Sequence, residues 1–236
     1  MDTGDNIKAS RANWSFTKDV ASSFDTHISK SVPFYDEGHD LICYLTDYFC
    51  HNASICYDLG TATGSLIRKL AHHNSHKPGI SWIGIDNEPE MIQYAKDKCR
   101  DFNNIEFVCE DMLLHDFKPS DFIVSYLTIH FTPERHRQTI FNKIYSALNW
   151  GGGFVLFEKV RAPDARFQDM MTALYNDLKL RNGFTVEEIE NKAKSLRGVL
   201  NPFSTQANLD LLKRAGFVDV MTIMKYVSFE CFLAIK

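Results

Sequence analysis

The chain has 236 residues, 44% of them hydrophobic, 24% charged and 13% aromatic. That is the composition of an ordinary soluble enzyme, and no apolar run approaches the ~20 residues a bilayer span needs. Thirty acidic against 26 basic residues leave a net charge of −4, whereas proteins that neutralise many phosphates carry a basic surplus. Membrane insertion is excluded and a nucleic-acid partner is not expected. The polar, acidic opening from Met1 to Asn6 lacks the basic end and apolar stretch of a secretory signal, so a cytoplasmic protein is expected. At roughly 100–200 residues per domain, the length predicts a single domain over 1–236.

From about residue 54 onward, β-rich runs alternate with helical ones, the pattern of an α/β fold on a mostly parallel sheet. The first strand reads Ile55 to Leu59, followed by a helix carrying Leu66, Ile67 and Leu70. A second strand covers Ile80 to Ile85, and Asn87 with Glu90 at capping-box spacing opens a helix bearing Met91, Ile92, Ala95 and Cys99. Strands at Ile105–Cys109 and Phe122–Leu127 come next, then a helix started by Thr132 and Pro133 and presenting Ile140, Ile144 and Leu148. Gly151-Gly152-Gly153 turns into a fifth strand, Phe154 to Phe157.

After Glu158 the alternation stops. Residues 164–181 read as an amphipathic helix with Phe167, Met170, Met171, Leu174 and Leu178 on one stripe, read as core or dimer interface. Thr185 and Glu188 cap a further helix ending near Leu196. Leu209 and Leu212 mark the last helix, stopped at Gly216, before a short strand at Phe217-Val218 and a final strand from Tyr226 to Ile235. These two are expected to pair as an antiparallel hairpin. The expected segments are thus an N-terminal piece 1–53, a core 54–159, a helical insertion 160–205 and a closing helix and hairpin 206–236. The six cysteines, Cys43, Cys50, Cys56, Cys99, Cys109 and Cys231, form no Cys-x-x-Cys pair and read as buried thiols. His72, His73 and His76 read as a solvated helix end, and no metal site is expected.

The most informative stretch is Tyr57-Asp58-Leu59-Gly60-Thr61-Ala62-Thr63-Gly64-Ser65, a glycine turn between a strand and its helix. A dinucleotide fingerprint needs Gly-x-Gly-x-x-Gly for a pyrophosphate, but Ala62 stands at the middle glycine. What remains is an acid and two glycines, suited to a ligand with a cationic amino group and no phosphate, such as S-adenosylmethionine. Asp86 closes the second strand where a ribose is held through carboxylate hydrogen bonds. Asp111 follows the third, placed for an adenine amino group, with Met112 to pack on the ring. Each acid alone is more often a helix cap or a solvated turn than a ligand contact, but three after successive strands point to one ligand.

Together these residues resemble the class I S-adenosylmethionine-dependent methyltransferases. The resemblance implies a Rossmann-like fold with a mostly parallel seven-stranded sheet, a C-terminal antiparallel hairpin and a helical insertion. A narrower resemblance, carried by Trp14-Ser15-Phe16, Ser31-Val32-Pro33 with Tyr35, Ile85-Asp86-Asn87, Glu158-Lys159, Leu178-Lys179, Asn182-Gly183-Phe184 and Ala215-Gly216-Phe217, is to the carboxy-S-adenosylmethionine synthases of tRNA wobble-uridine modification. Those enzymes place the carboxyl of prephenate on the cofactor; they are homodimers whose N-terminal segment covers it. The resemblance implies S-adenosyl-L-methionine as cofactor, held by Tyr35, Asp58, Gly60, Thr61, Ala62, Gly64, Asp86, Asn87, Met91, Asp111, Met112 and Ser125, and a homodimer.

Two departures shift the expected chemistry. By ungapped register the arginine that holds the transferred carboxylate falls on Ala193, and an asparagine after the fourth strand is replaced by Tyr126. Lys192, Lys194 and Arg197 would point elsewhere on the helix if Ala193 faces inward. The expected function is therefore methyl transfer to a small-molecule acceptor. The alternatives are the carboxy-S-adenosylmethionine synthase activity and a non-catalytic cofactor-binding partner. His130 and Tyr126 are the candidate catalytic groups, His130 as general base; the plainer reading of His130 is a surface residue beside a helix cap, and of Tyr35 an aromatic anchor for the N-terminal segment.

Overall fold

The computed structural model describes residues 1–16 and 18–236. Its seven strands form one sheet in the order β3-β2-β1-β4-β5-β7-β6: β1 Ile55–Leu59, β2 Ser81–Asp86, β3 Ile105–Cys109, β4 Ser120–Tyr126, β5 Leu148–Lys159, β6 Asp219–Tyr226 and β7 Phe229–Ile235. The first five run parallel, and β7 pairs antiparallel with both β5 and β6. The expected α/β architecture and closing hairpin are present. The strand expected at Phe217-Val218 instead runs over Asp219–Tyr226, and it takes in the start of the expected last strand. The hairpin turns at Val227, which adopts φ 51°, and Ser228.

Strand alternation divides the core. Cys56, Trp82, Phe122 and Val155 face one side, covered by helices α3 Tyr35–Phe49 and α4 Ser65–His73. Tyr57, Ile83, Ile123 and Phe154 face the other, under α6 Glu134–Ala147 and α9 Thr205–Ala215. Helix α5 Pro89–Lys98 flanks α4. It starts later than the capping-box spacing implied, because Pro89 fixes the first turn and the Asp86 side chain accepts from the Glu88 amide at 3.0 Å.

Two short helices, α1 Lys18–Ala21 and α2 Phe24–Ser31, belong to an N-terminal segment with its own apolar cluster. Ile7, Trp14, Val20 and Ala21 bury against Met91 of α5. Asp25 of α2 accepts from Thr63 and Ser65 and pairs with Lys98 at the end of α5, so this segment is fastened to the glycine turn and both helices beside it.

The helices after β5 are α7 Ala165–Arg181 and α8 Val186–Leu196. Thr185 and Glu188 form the expected reciprocal capping box. The apolar stripe of α7 is not core: Phe167, Met170 and Leu174 lie 42%, 50% and 48% exposed. The helix turns Tyr175 and Lys179 inward instead. Cys109 is also exposed, unlike the other five thiols, because β3 is an edge strand covered less completely than its neighbours. Among the described residues no helix is long and apolar enough to cross a membrane.

Gly60 has φ +73°, and a Cβ there would lie 2.2 Å from the Thr128 side chain. Gly183 has φ +93° with nothing within 4 Å. Gly183→Ala therefore costs only the left-handed backbone, about 1–2 kcal/mol, and Gly60→Ala adds a steric term. Thermal unfolding of both variants checks this, with the larger drop in Tm expected for Gly60→Ala.

Candidate functional site

Where the sheet order turns from β1 to β4, the loops after these strands leave in opposite directions and open a crevice at the carboxyl edge, the usual ligand position in an open α/β sheet. A cavity of about 600 Å³ lies there, within the range of ligand sites. It is walled by the glycine turn, the ends of β2, β3 and β4, the N-terminal segment, and helices α7 and α8. Two residues on its rim hold strained backbone. Ala62 adopts φ 48° and Leu127 φ 60°, conformations a side-chain-bearing residue holds only where its surroundings enforce them.

One end of the cavity is acidic. Asp58, at the end of β1, is 1% exposed and accepts from the Thr61 hydroxyl at 2.8 Å. Burial pushes its carboxyl up to about 7, against the Thr61 hydrogen bond and helped by the charge of Asp86. Asp86 accepts from the Ala62 amide at 2.9 Å through one oxygen and from Glu88 through the other; burial raises its pKa. The strained Ala62 is thus aimed at Asp86, and the turn keeps its shape without a middle glycine. Asp111 caps its own turn by accepting from Leu113 at 2.9 Å, and it lines the cavity with Met112, Asn87 and Met91.

The opposite end is basic. Lys159 from β5, Lys179 from α7 and Lys192 from α8 all border the cavity, and among the described residues none makes an ion pair. Their ammonium groups rest on aromatic faces instead. Lys159 and Lys179 lie 4.5 and 4.3 Å from the Tyr175 ring centroid, and Lys192 lies over Trp14. Burial pushes Lys159 down to about 8, and burial with the charge of Lys159 pushes Lys179 to about 7. Burial and the charge of Lys179 hold Lys192 well below the usual lysine range. Desolvated lysines without a counter-charge hold their protons more firmly when an anion lies among them, which makes this end a site for an anion.

This arrangement corrects the register argument. Ala193 is exposed, and the inward face of α8 carries Lys192 and Leu196. On a helix adjacent residues lie about 100° apart, so moving Ala193 outward brings Lys192 in.

Of the expected cofactor residues, Tyr35, Asp58, Gly60, Thr61, Ala62, Asp86, Asn87, Met91, Asp111 and Met112 converge on the cavity. Ser125 and Gly64 do not. Ser125 lies between Val124 and Tyr126, which share one sheet face, so period-two alternation sends it to the other. Gly64 abuts α5, where its Cβ would sit 3.1 Å from Ala95. It permits helix packing and does not meet the ligand space.

His130 and Tyr126 both border the cavity. His130 is 3% exposed and not a surface residue. Its Nδ1 is 3.1 Å from Glu158 Oε2 and 3.2 Å from the Lys159 amide, and Arg137 and Asn201 donate to its carbonyl. The Tyr126 hydroxyl donates to the Tyr35 carbonyl at 2.9 Å, and burial raises its pKa well above normal. It is a clamp between β4 and α3 and no base. Lys159 and Lys179 stand in the resemblance motifs without an assigned role, the register of Ala193 sets Lys192 aside, and His39 carries no mark in the sequence. Among the described residues no metal-ligand cluster occurs.

The pattern of the family described as "Methyltransferase domain" matches residues 56–152. A carboxy-S-adenosyl-L-methionine synthase of Staphylococcus epidermidis is 36% identical over 94% of this chain and 97% of its own length. That of Nautilia profundicola is 34% identical over 94% of each chain. The chain belongs to the carboxy-S-adenosyl-L-methionine synthase family, within the class I methyltransferase fold. Human N-acetylserotonin methyltransferase in complex with S-adenosylmethionine shares that fold, with a TM-score of 0.63 at 18% identity over 92% of this chain and 55% of that one. The protein is an S-adenosyl-L-methionine-dependent enzyme, and the buried acids, the glycine turn and the cavity volume fit that cofactor.

Asp58 generates a stability prediction. Between about pH 4 and 7 the folded state holds a proton on Asp58 that the unfolded state has lost, so stability falls as pH rises through that window and the cost is complete above 7. Asp58→Asn removes it. At about 1.4 kcal/mol per pKa unit the variant without cofactor gains a few kcal/mol at pH 8 and little at pH 4.5, read as Tm at the two pH values, while its affinity for S-adenosylmethionine falls.

Proposed function

We propose that the protein makes carboxy-S-adenosyl-L-methionine, joining a carboxyl group from a small carboxylate donor to the methyl carbon of S-adenosylmethionine. The observation that carries this reading is the set of Lys159, Lys179 and Lys192, three desolvated lysines on the cavity with no carboxylate partner among the described residues. Plain methyl transfer was expected because Ala193 left no cation for a carboxylate, and that reason does not hold with Lys192 on the inner face of α8. The names of the S. epidermidis and N. profundicola relatives support the same product.

When bound, the cofactor supplies a methyl carbon activated by the sulfonium. In this reading Asp86 takes the ribose hydroxyls through its remaining lone pairs, and Asp111 and Met112 take the adenine. Asp58, Gly60 and Tyr35 enclose the amino-acid tail. The lysines hold and orient the donor carboxylate in a site closed to water by Trp14, Tyr175 and Phe229. As the carboxyl carbon bonds to the methyl carbon, its bond to the donor breaks; in a donor such as prephenate the released electron pair expels the ring hydroxyl, which takes the methyl proton and leaves as water. His130, whose Nδ1 accepts from the Lys159 amide beside Glu158, orders the backbone next to that lysine.

Incubating the protein with S-adenosylmethionine and prephenate, with mass spectrometry of the product, tests the reading. Carboxy-S-adenosylmethionine is expected; methylated product from a metabolite extract with no carboxylated cofactor would return the function to methyl transfer. Lys192→Ala should raise KM for the donor about 10- to 100-fold, the equivalent of one lost charged hydrogen bond. Cofactor affinity should stay within a few-fold. KM should also rise with pH above about 7, as Lys179 and then Lys159 lose their protons.

The exposed stripe of Phe167, Met170 and Leu174 supports a homodimer through α7, since a contiguous apolar patch of this kind is rarely left to solvent. Light scattering at micromolar concentration should give twice the chain mass, and Leu174→Asp should give a monomer that keeps its helix content. A wild-type monomer would refute the assembly.

A further inference from the structure

His39 stands one helical turn after Tyr35 on α3, wholly buried and bordering the cavity. Neither Nδ1 nor Nε2 has a hydrogen-bond partner among the described residues. Buried polar groups are rarely left so, because each surrenders its water without replacement. Such an orphan marks stored strain, an ordered water, or a place where a ligand supplies the missing partner.

The surroundings favour a ligand. The imidazole is gripped by Tyr35, with ring centroids 4.4 Å apart, and by Tyr126, 4.7 Å away. Tyr126 reaches this position only because residue 38 is glycine: a Cβ there would lie 2.2 Å from the Tyr126 hydroxyl. That hydroxyl then bonds the Tyr35 carbonyl. Gly38, His39 and Tyr126 are thus a fitted set that fixes the ring's orientation with stacking and edge contacts alone. Both nitrogens remain uncommitted, although a hydrogen bond to either would have fixed the ring more simply. Burial pushes the imidazole down to about 4, against the nearby acids Asp36, Asp40 and Asp25 and with the charge of Lys69 acting in the same direction as burial. At neutral pH it therefore presents one N–H donor and one acceptor, with no charge.

We propose that His39 is a specificity-determining residue for the second substrate, donating its ring N–H to an oxygen of the carboxylate donor and accepting from a neighbouring donor group on the same molecule. The assignment rests on the carboxylate reading of the basic end. It separates two tasks. The lysines attract any anion of the right size, while a neutral directional group discriminates among anions, because a site built to hydrogen-bond one ligand atom rejects analogues lacking it far more strongly than a shape-matched apolar wall does.

The test uses the full-length protein with its histidines labelled with nitrogen-15. Adding S-adenosylhomocysteine should leave the His39 ring signals near their free positions, and adding prephenate to the saturated complex should shift both ring nitrogens saturably. In turnover assays His39→Leu should raise KM for prephenate at least 10-fold and change the S-adenosylhomocysteine dissociation constant less than twofold. His39→Gln, which keeps a donor and an acceptor, should recover part of the loss. The inference is overturned if prephenate leaves the ring signals unmoved, if His39→Leu leaves KM unchanged, or if cofactor affinity falls as much as donor affinity. Signals that shift with prephenate in a protein that forms no carboxylated product would retain His39 as a ligand contact and remove the synthase reading. Product formation with unmoved signals would do the reverse.

Discussion

The sheet order reverses between β1 and β4, and everything functional follows from that crossing. Parallel strands on either side of it send their connections to opposite faces, so the backbone cannot close over the carboxyl edge. A gap must remain there, and its walls are whatever residues end the central strands. Asp58, Asp86 and Tyr126 occupy those ends. The buried acids are costly to ionise because the fold places them at the bottom of the gap, and the glycine turn beside them exists to leave that gap open.

The second constraint is the separation of charge across one cavity. A net charge of −4 gives no hint of it. Acids gather at the β1–β2–β3 end and lysines come from β5, α7 and α8, so charge is separated along a cavity whose walls are otherwise largely apolar. Keeping the lysines dry without carboxylate partners needs aromatic faces, and Trp14, Tyr175 and Phe229 provide them. A carboxylate partner in the protein would quench the site; an aromatic face steadies an ammonium and leaves its charge available.

The acidic end was legible in the sequence because it is local: Asp58, Gly60 and Ala62 fall within five residues, and Asp86 and Asp111 each follow a recognisable strand. The basic end was not. Lys159, Lys179 and Lys192 lie on three elements, and which face of α7 and α8 turns inward depends on packing that no periodicity in those helices announces. The apolar stripe of α7 with Phe167, Met170 and Leu174 is the outer face, and the inner face carries Tyr175 and Lys179. Ser125 falls on the sheet face away from the cavity because its neighbours Val124 and Tyr126 take the near one, and a histidine in an amphipathic helix, such as His39, has no signature until its neighbours are known. The closing hairpin shifted by a few residues because Phe217 belongs to the core under α9 and β6 is mostly solvent-facing, leaving little alternation to read.

Asp25 joins α2, the glycine turn, the start of α4 and the end of α5 in one cluster with Thr63, Ser65 and Lys98. Any path that lifts α2 away from the cavity has to break it. Unlike the buried acids, this node is half open to solvent, and charges so placed are screened over a Debye length of about 8 Å in physiological salt. Ionic strength therefore weakens this fastening, outside the cavity, more than it weakens the buried contacts of Asp58 and Asp86 within it.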